Sequence, residues 1–179
     1  MQFQPAIPTC GTEVPSSREW IHEIKYDGFR LIVHKDGVHL LTAMTGRSAI
    51  HGQHDDEVQL YAFDVLAMDG EDLRGLPLSM RKRNLARLLA RRPDGIFVAP
   101  FEQGEIGPDL FRAACRMGLE GLVSKRRDRA YRGGRCLHWV KVKNPNSPAM
   151  KRAAEVDWRP ASRLQRRGWR QTSRLMPRC

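Results

Sequence analysis

The sequence predicts an α+β fold, with mainly antiparallel sheets and flanking helices. Three observations carry this expectation. Short segments rich in β-branched and aromatic residues recur from residue 20 onward, separated by turn dipeptides. Two stretches, opening at Ser79 and at Gly107-Pro108, have helical spacing. The early strands follow one another with no helix between them, which favours hairpin pairing over a doubly wound parallel sheet.

Taken in order, "WIHEIKY" and "FRLIVHK" flank Asp27-Gly28. Asp-Gly is a strong signal for a two-residue type I′ hairpin, which needs φ > 0 at both central positions. Such a turn sets Lys25 opposite Arg30. "VHLLT" continues as a strand after Asp36-Gly37, and the polar "GRSAIHGQHDDE" reads as loop. "VQLYAFDVLAM" is the longest strand. Alternation places Tyr61, Phe63 and Val65 on one face and Ala62, Asp64 and Leu66 on the other. Phe63 is most simply a core residue, while Asp64 needs a partner or a cavity. "MDGEDLRGLP" is turn material. From Ser79, read as an N-cap, "MRKRNLARLLARR" gathers Leu85, Leu88 and Leu89 on one helical face, and Pro93 closes it.

"IFVAPF" reads as a strand. Pro108 suits the first turn of a second helix, "DLFRAACRM", which Gly118 ends. Two more strands, "EGLVSK" and "HWVKVK", enclose the basic loop "RRDRAYRGGR". The last puts Trp139, Lys141 and Lys143 on one face, Val140 and Val142 on the other. Beyond that point periodicity stops. Residues 1–145 thus form one expected domain, and residues 146–179 a mobile basic tail.

A chain of 179 residues can bury a real core. Its net charge of +11 is uneven: −2 over residues 1–119, +6 over 120–143 and +7 over 151–179. The two late segments would attract a polyanion such as nucleic acid or nucleotide phosphates. No run of about 18 apolar residues offers a membrane span, and the start lacks the pattern of a secretion signal. The four cysteines are scattered with no Cys-x-x-Cys pair, which points to reduced thiols in a cytoplasm. His51-x-x-His54 lies in the polar loop and makes a poor metal site.

Several residues admit two readings. Lys25 and Arg30 are either solvated cations that splay apart, or a clash put to use. A neighbouring cation and desolvation lower a lysine's pKa and make the amine nucleophilic. A shift from ~10.4 to about 7.5 would cost roughly 4 kcal/mol. Lys141 and Lys143 either guard an edge strand or hold phosphate. Glu120 is either solvated or a hard-oxygen ligand for a divalent cation.

The order of these segments is more specific than any one of them. "KYDGFR", "YAFDVLAMDG", "EGLVSK" and "WVKVK" succeed each other as in ATP-dependent DNA ligases. "WIHEIKYDGFR" and "EGLVSKRRDRAYRGGRCLHWVKVKNP" resemble the bacterial ligase modules of non-homologous end-joining more narrowly. The resemblance spans roughly residues 5–145. It implies an ATP-grasp-like nucleotidyltransferase (adenylation) domain in which Lys25 attacks the α-phosphate of ATP and carries AMP. It further implies that Glu23 and Arg30 contact the nucleotide and that Phe63 stacks on adenine. Glu120 would serve Mg²⁺ as well as the nucleotide, and Lys141 and Lys143 would hold the α-phosphate. Arg126, Arg127, Arg129, Arg132 and Arg135 would contact nicked DNA, placing the protein in the bacterial cytoplasm with the nucleoid. RNA ligases and capping guanylyltransferases share the superfamily, and the residues do not separate adenine from guanine.

Three departures qualify the likeness. Where the family pairs an arginine with a glycine, this chain reads "LLTAMTGRS", with Arg47 near but not aligned. Several dozen family residues, including a strand with Asp-Gly-Glu, shrink to "GRSAIHGQHDDE", and Glu57 is no assured substitute. A central segment is therefore expected to be absent, exposing sheet edges. The OB-fold domain that closes over DNA has no counterpart, because the tail is short and lacks strands, so a partner chain would have to supply it. The sequence thus supports a ligase-type nucleotidyltransferase that forms lysyl–AMP for nick sealing in repair and recombination. The alternative is an impaired remnant that binds ATP or DNA without ligating.

Overall fold

A computed structural model describes residues 3–35, 39–46, 59–92, 94–148 and 150. Asp36-Gly37, the polar loop over 47–57, Pro93 and residues 151–179 of the expected 146–179 tail lie outside these residues.

The elements in chain order are β1 (Ala6–Cys10), β2 (Trp20–Ile24), β3 (Gly28–Lys35), β4 (His39–Gly46), β5 (Gln59–Met68) and β6 (Glu71–Asp72). Then come α1 (Leu78–Leu88), β7 (Ile96–Val98), β8 (Glu102–Gln103), α2 (Gly107–Arg116), β9 (Gly121–Arg126) and β10 (Gly134–Lys143). One sheet runs β1-β10-β9-β2-β8, the other β3-β4-β5-β6 with β7 beside β5. Pairing is antiparallel except for β1 with β10 and β5 with β7. The expected α+β, mainly antiparallel architecture is the one observed. Cys115 and Cys136 are free thiols as expected, whereas Cys10 is disulfide-bonded, against that expectation.

Asp27-Gly28 does not close a hairpin. β2 pairs with β8 and β9, while β3 pairs with β4 in the other sheet. Neither Asp27 nor Gly28 has the positive φ that a type I′ turn needs. The dipeptide is a crossover between sheets, so Lys25 and Arg30 are not cross-strand neighbours. The same turn chemistry operates elsewhere: Asp69 (φ 54°) and Gly70 (φ 84°) are both left-handed and join β5 to β6 with Met68 opposite Glu71.

β4 pairs directly with β5, so the strands on either side of residues 47–58 are neighbours in one sheet. Its ladder slips twice, passing over Phe63 and Leu66. Each slip is a bulge that reverses the facing of the residues beyond it. Val65 therefore leaves the side of Tyr61 and Phe63 and joins Ala62, Leu73, Leu85 and Leu89 beneath α1. Strict alternation predicted otherwise. β1 was also not predicted. Pro8 weakens its sequence signal, yet a proline is tolerated in an edge strand.

The first sheet has two distinct faces. His22, Leu122 and Ser124 point toward α2, with His22 Nδ1 2.8 Å from Ser124 Oγ and Nε2 2.9 Å from Gly104 O. A Cβ on Gly107 would lie 2.5 Å from the His22 ring, so α2 requires glycine there to pack this close. The opposite face carries Glu23, Lys125, Trp139, Lys141 and Lys143 and turns toward the second sheet. The sheets meet where Phe63 packs edge-to-face on Trp139, centroids 6.2 Å apart, in a cluster with Ala6, Ala99 and Cys136.

Candidate active site

Lys25 sits where β2 ends. Its backbone N–H donates to Gly121 O at 2.9 Å, and its ammonium forms an ion pair with Glu120, both side chains being mostly buried. The corner that presents Glu120 demands glycine beside it. Gly121 has φ 137°, and an added Cβ would lie 2.1 Å from Val142 O. On the adjoining β10, Lys141 stands opposite Val123 and Lys143 opposite Gly121. Partial desolvation lowers the Lys141 pKa, and the charges of Lys143, Lys25 and Arg30 lower it further against the pull of Glu120. Five residues named from sequence, Lys25, Arg30, Glu120, Lys141 and Lys143, therefore share one electrostatic neighbourhood. Arg30 joins it from the other sheet, at an exposed position.

Glu23 is placed differently. Two residues before Lys25 on the same strand, it is buried and ion-paired with both Lys82 of α1 and Lys125 of β9. Burial pushes the carboxyl up, but the two ammonium groups outweigh it and hold Glu23 below the usual range. Lys125 is lowered to about 8, chiefly by desolvation, with Lys82 adding to the effect and Glu23 and Asp64 opposing it. Its Nζ lies 4.1 Å from the Phe63 ring centre and 4.3 Å from that of Trp139. Phe63, expected to stack on adenine, is 5% exposed and engaged by these two neighbours. It packs as a core side chain here, with Trp139 at its edge and the Lys125 ammonium over its face.

Asp64 finds its partner in Arg81. Nε and Nη2 donate to the two carboxylate oxygens at 2.8 and 3.0 Å, with both side chains fully buried. Arg81 Nη1 donates to Leu76 O at 2.5 Å and Arg129 O at 3.3 Å. The basic loop is held at the same place, since the Leu78 and Ser79 N–H groups donate to Arg129 O and Arg127 O. Ser79 is thus not the N-cap. Pro77 occupies that position, and loop carbonyls satisfy the helix end. Arg127, Arg129, Arg132 and Arg135 are exposed, while Arg126 is half-buried and paired with Asp128 at 2.9 Å. Cavities of about 950 and 480 Å³ flank this loop, sharing Gly75, Ala130 and Tyr131, and neither includes Lys25 or Glu120.

Sequence reasoning passed over Arg81, Lys82 and Lys125. Their signal was available in the spacing. Leu78, Arg81, Lys82, Leu85 and Leu89 follow the three- and four-residue steps of one helical face, and all are buried. Two cations on the apolar side of a helix require buried carboxylates, and Glu23 and Asp64 supply them.

The family profile described as "ATP dependent DNA ligase domain" matches residues 38–143. The chain belongs to this family. It is 30% identical to the multifunctional non-homologous end joining protein LigD of Pseudomonas aeruginosa, over 73% of this chain and 21% of that protein. Identity to the LigD of Mycobacterium tuberculosis is 32%, over 70% of this chain and 16% of that one. The ligase domain here thus spans about a fifth or less of these curated relatives. Among solved structures it resembles mycobacterial DNA ligase D complexed with ATP and MES, with TM-score 0.64, 26% identity, and 78% and 60% of the two chains covered. The Chlorella virus DNA ligase-adenylate shares the fold, at TM-score 0.56 and 14% identity over 78% and 67%.

Proposed function

We propose that this ligase domain is an ATP-dependent nucleotidyltransferase that charges Lys25 with AMP for transfer to a DNA 5′-phosphate at a nick. The observation that carries the reading is the Lys25–Glu120 pair set among Arg30, Lys141 and Lys143. With Lys82 and Lys125 behind them, the cations outnumber the two carboxylates, an imbalance that a triphosphate offsets. Phosphoryl transfer is mostly positioning plus neutralisation of developing charge, and cations preset around one amine provide both. Lys25 loses its proton and attacks the α-phosphorus. An N–P bond forms, the P–O bond to the β-phosphate breaks, and pyrophosphate leaves. Lys141, Lys143 and Arg30 hold the phosphate oxygens.

Among the described residues no three His, Cys, Asp or Glu side chains gather into a metal cluster. Mg²⁺ usually takes one or two protein carboxylates and draws other ligands from phosphates and water. Glu120 alone fits that habit, and a bound Mg²⁺ would offset charge on the phosphates. The exposed arginines of the basic loop would bind the DNA backbone, and the proposal extends to a location with the bacterial nucleoid. The shortened β4–β5 connection favours a second reading, nucleotide and DNA binding without transfer. A partner chain would then supply what sealing still needs.

The test is incubation with ATP labelled on the α-phosphate and Mg²⁺, followed by denaturing electrophoresis. Acid-labile, alkali-stable label on the chain, lost in Lys25→Ala, is expected. A folded, ATP-binding sample that takes no label would leave the binding-only reading.

A further inference from the structure

Lys82, one turn into α1, is buried and reaches out of the second sheet's helical layer to the carboxylate of Glu23 in the first sheet. Its Nζ also stands 4.6 Å from the centre of the Phe101 ring. The other Glu23 oxygen takes Lys125, so one carboxylate serves two ammonium groups. The groups facing Lys125 are Glu23 from β2, Lys82 from α1 and Asp64 from β5, with Phe63 and Trp139 as its aromatic walls. A fold that needed only a staple between its sheets would do better with apolar contact. Buried charges lose hydration that their mutual attraction barely restores. An extra buried cation makes sense where an anion is to arrive.

We infer that Lys82 is a positioning residue for the nucleotide site: through Glu23 it orients the strand end that bears Lys25 and holds one of the two carboxylate oxygens that Lys125 would otherwise take. This rests on the nucleotidyltransferase reading above. Lys82 acts through its carboxylate partner, since its ammonium pairs with Glu23 while that of Lys25 pairs with Glu120. With Lys82 in place, Glu23 is shared. With it gone, Lys125 takes both oxygens, keeps its proton to higher pH and draws Glu23 toward β9.

The experiment compares wild type with Lys82→Met and Lys82→Arg. ATP affinity is measured by calorimetry, the Lys125 titration by ¹⁵N-lysine NMR on the free protein, and stability by urea. Lys82→Met is expected to weaken ATP binding about tenfold, equivalent to about 1.4 kcal/mol, and to move the Lys125 titration upward. Lys82→Arg keeps the charge and is expected to restore both. Loss of stability with ATP affinity and the Lys125 titration unchanged would make Lys82 a structural staple and overturn the inference. Should Lys82→Met not fold, the wild-type spectrum decides. The ¹⁵N signal of the Lys82 ammonium must shift on ATP addition, and an unmoved signal refutes the role. If wild type binds no ATP, the nucleotidyltransferase reading fails, while the Lys125 titration in Lys82→Arg and Lys82→Met still reports whether Lys82 sets its charge.

Discussion

Lys25 and Glu120 form an ion pair at the corner where β2 leaves its sheet and β9 enters it, locked by the Lys25 N–H to Gly121 O bond at 2.9 Å. The pair joins the proposed nucleophile to the proposed metal ligand before any substrate is present. Glu120→Gln keeps the shape and removes the charge. Because both side chains are mostly buried, the Lys25 ammonium loses a charged partner that water only partly replaces, and stability should fall by about 1–3 kcal/mol. Adenylate formation should fall by at least about 10²-fold, the usual scale for losing one preset electrostatic contact in a transition state. Single-turnover labelling beside a urea melt separates the two effects. An unchanged labelling rate would remove Glu120 from the chemistry.

Gly121→Ala tests the geometry of the same corner. The new methyl group would meet Val142 O at 2.1 Å, and φ 137° is strained for any residue with a Cβ. The β9–β10 ladder must shift, displacing Glu120 and Lys143 together. A loss of about 2–4 kcal/mol on urea unfolding is expected, with labelling reduced even at temperatures where the variant is folded. Full labelling by the folded variant would mean that the corner tolerates displacement.

How far the sequence disclosed this arrangement depends on the range of the interactions. Helix α2 and strands β2, β5, β9 and β10 were legible because periodicity and turn residues are local. Lys25, Glu120, Lys141 and Lys143 were legible through the order of their motifs. Asp27-Gly28 misled because turn propensity says nothing about which sheet receives the next strand, and β3 goes to the other one. Val65 was misplaced because a bulge depends on the partner strand's register. The ion pairs of Glu23 with Lys82 and Lys125 were not legible, because these partners lie far along the chain. Only the packed structure brings their charges together.

The Asp64–Arg81 pair carries a stability prediction of opposite character. Both side chains are fully buried, and Arg81 also binds the carbonyls of Leu76 and Arg129. Removing one partner strands the other's charge away from water. Asp64→Asn should destabilise by about 3–5 kcal/mol, and Arg81→Met by a similar amount. Urea midpoints at constant m-value give the measurement. A loss under about 1 kcal/mol would show that water reaches the site.

The proposed DNA binding through the basic loop carries a distinct salt dependence. Arg127, Arg129, Arg132 and Arg135 are exposed, and removing one arginine from a phosphate should flatten the plot of log affinity against log salt by about one unit. Alanine at Arg132 and Arg135 should therefore weaken binding to nicked duplex about equally for all sequences and lower the slope by about two. Fluorescence anisotropy from low to moderate salt reads both. An unaltered slope would place the DNA elsewhere.

The buried Lys125 makes stability depend on pH in an unusual direction. Its ammonium titrates at about 8 in the folded protein against an ordinary 10.5. Between those values the unfolded chain holds a proton that the folded chain has released, so stability rises with pH across the window. Below about pH 8 both states hold the proton, and the buried charge costs the fold about 3 kcal/mol relative to strongly alkaline conditions. Lys141, also lowered, contributes with the same sign. Glu23 acts at the other end of the scale. Its carboxyl is held low, so the stability it brings is present above the ordinary glutamate range and is lost as pH falls through its folded value. Urea unfolding of wild type from pH 7.5 to 10.5 should show the rise, and Lys125→Met should flatten most of it. A wild-type curve that falls across that range would mean that the Lys125 ammonium is held by Glu23 more firmly than burial loosens it.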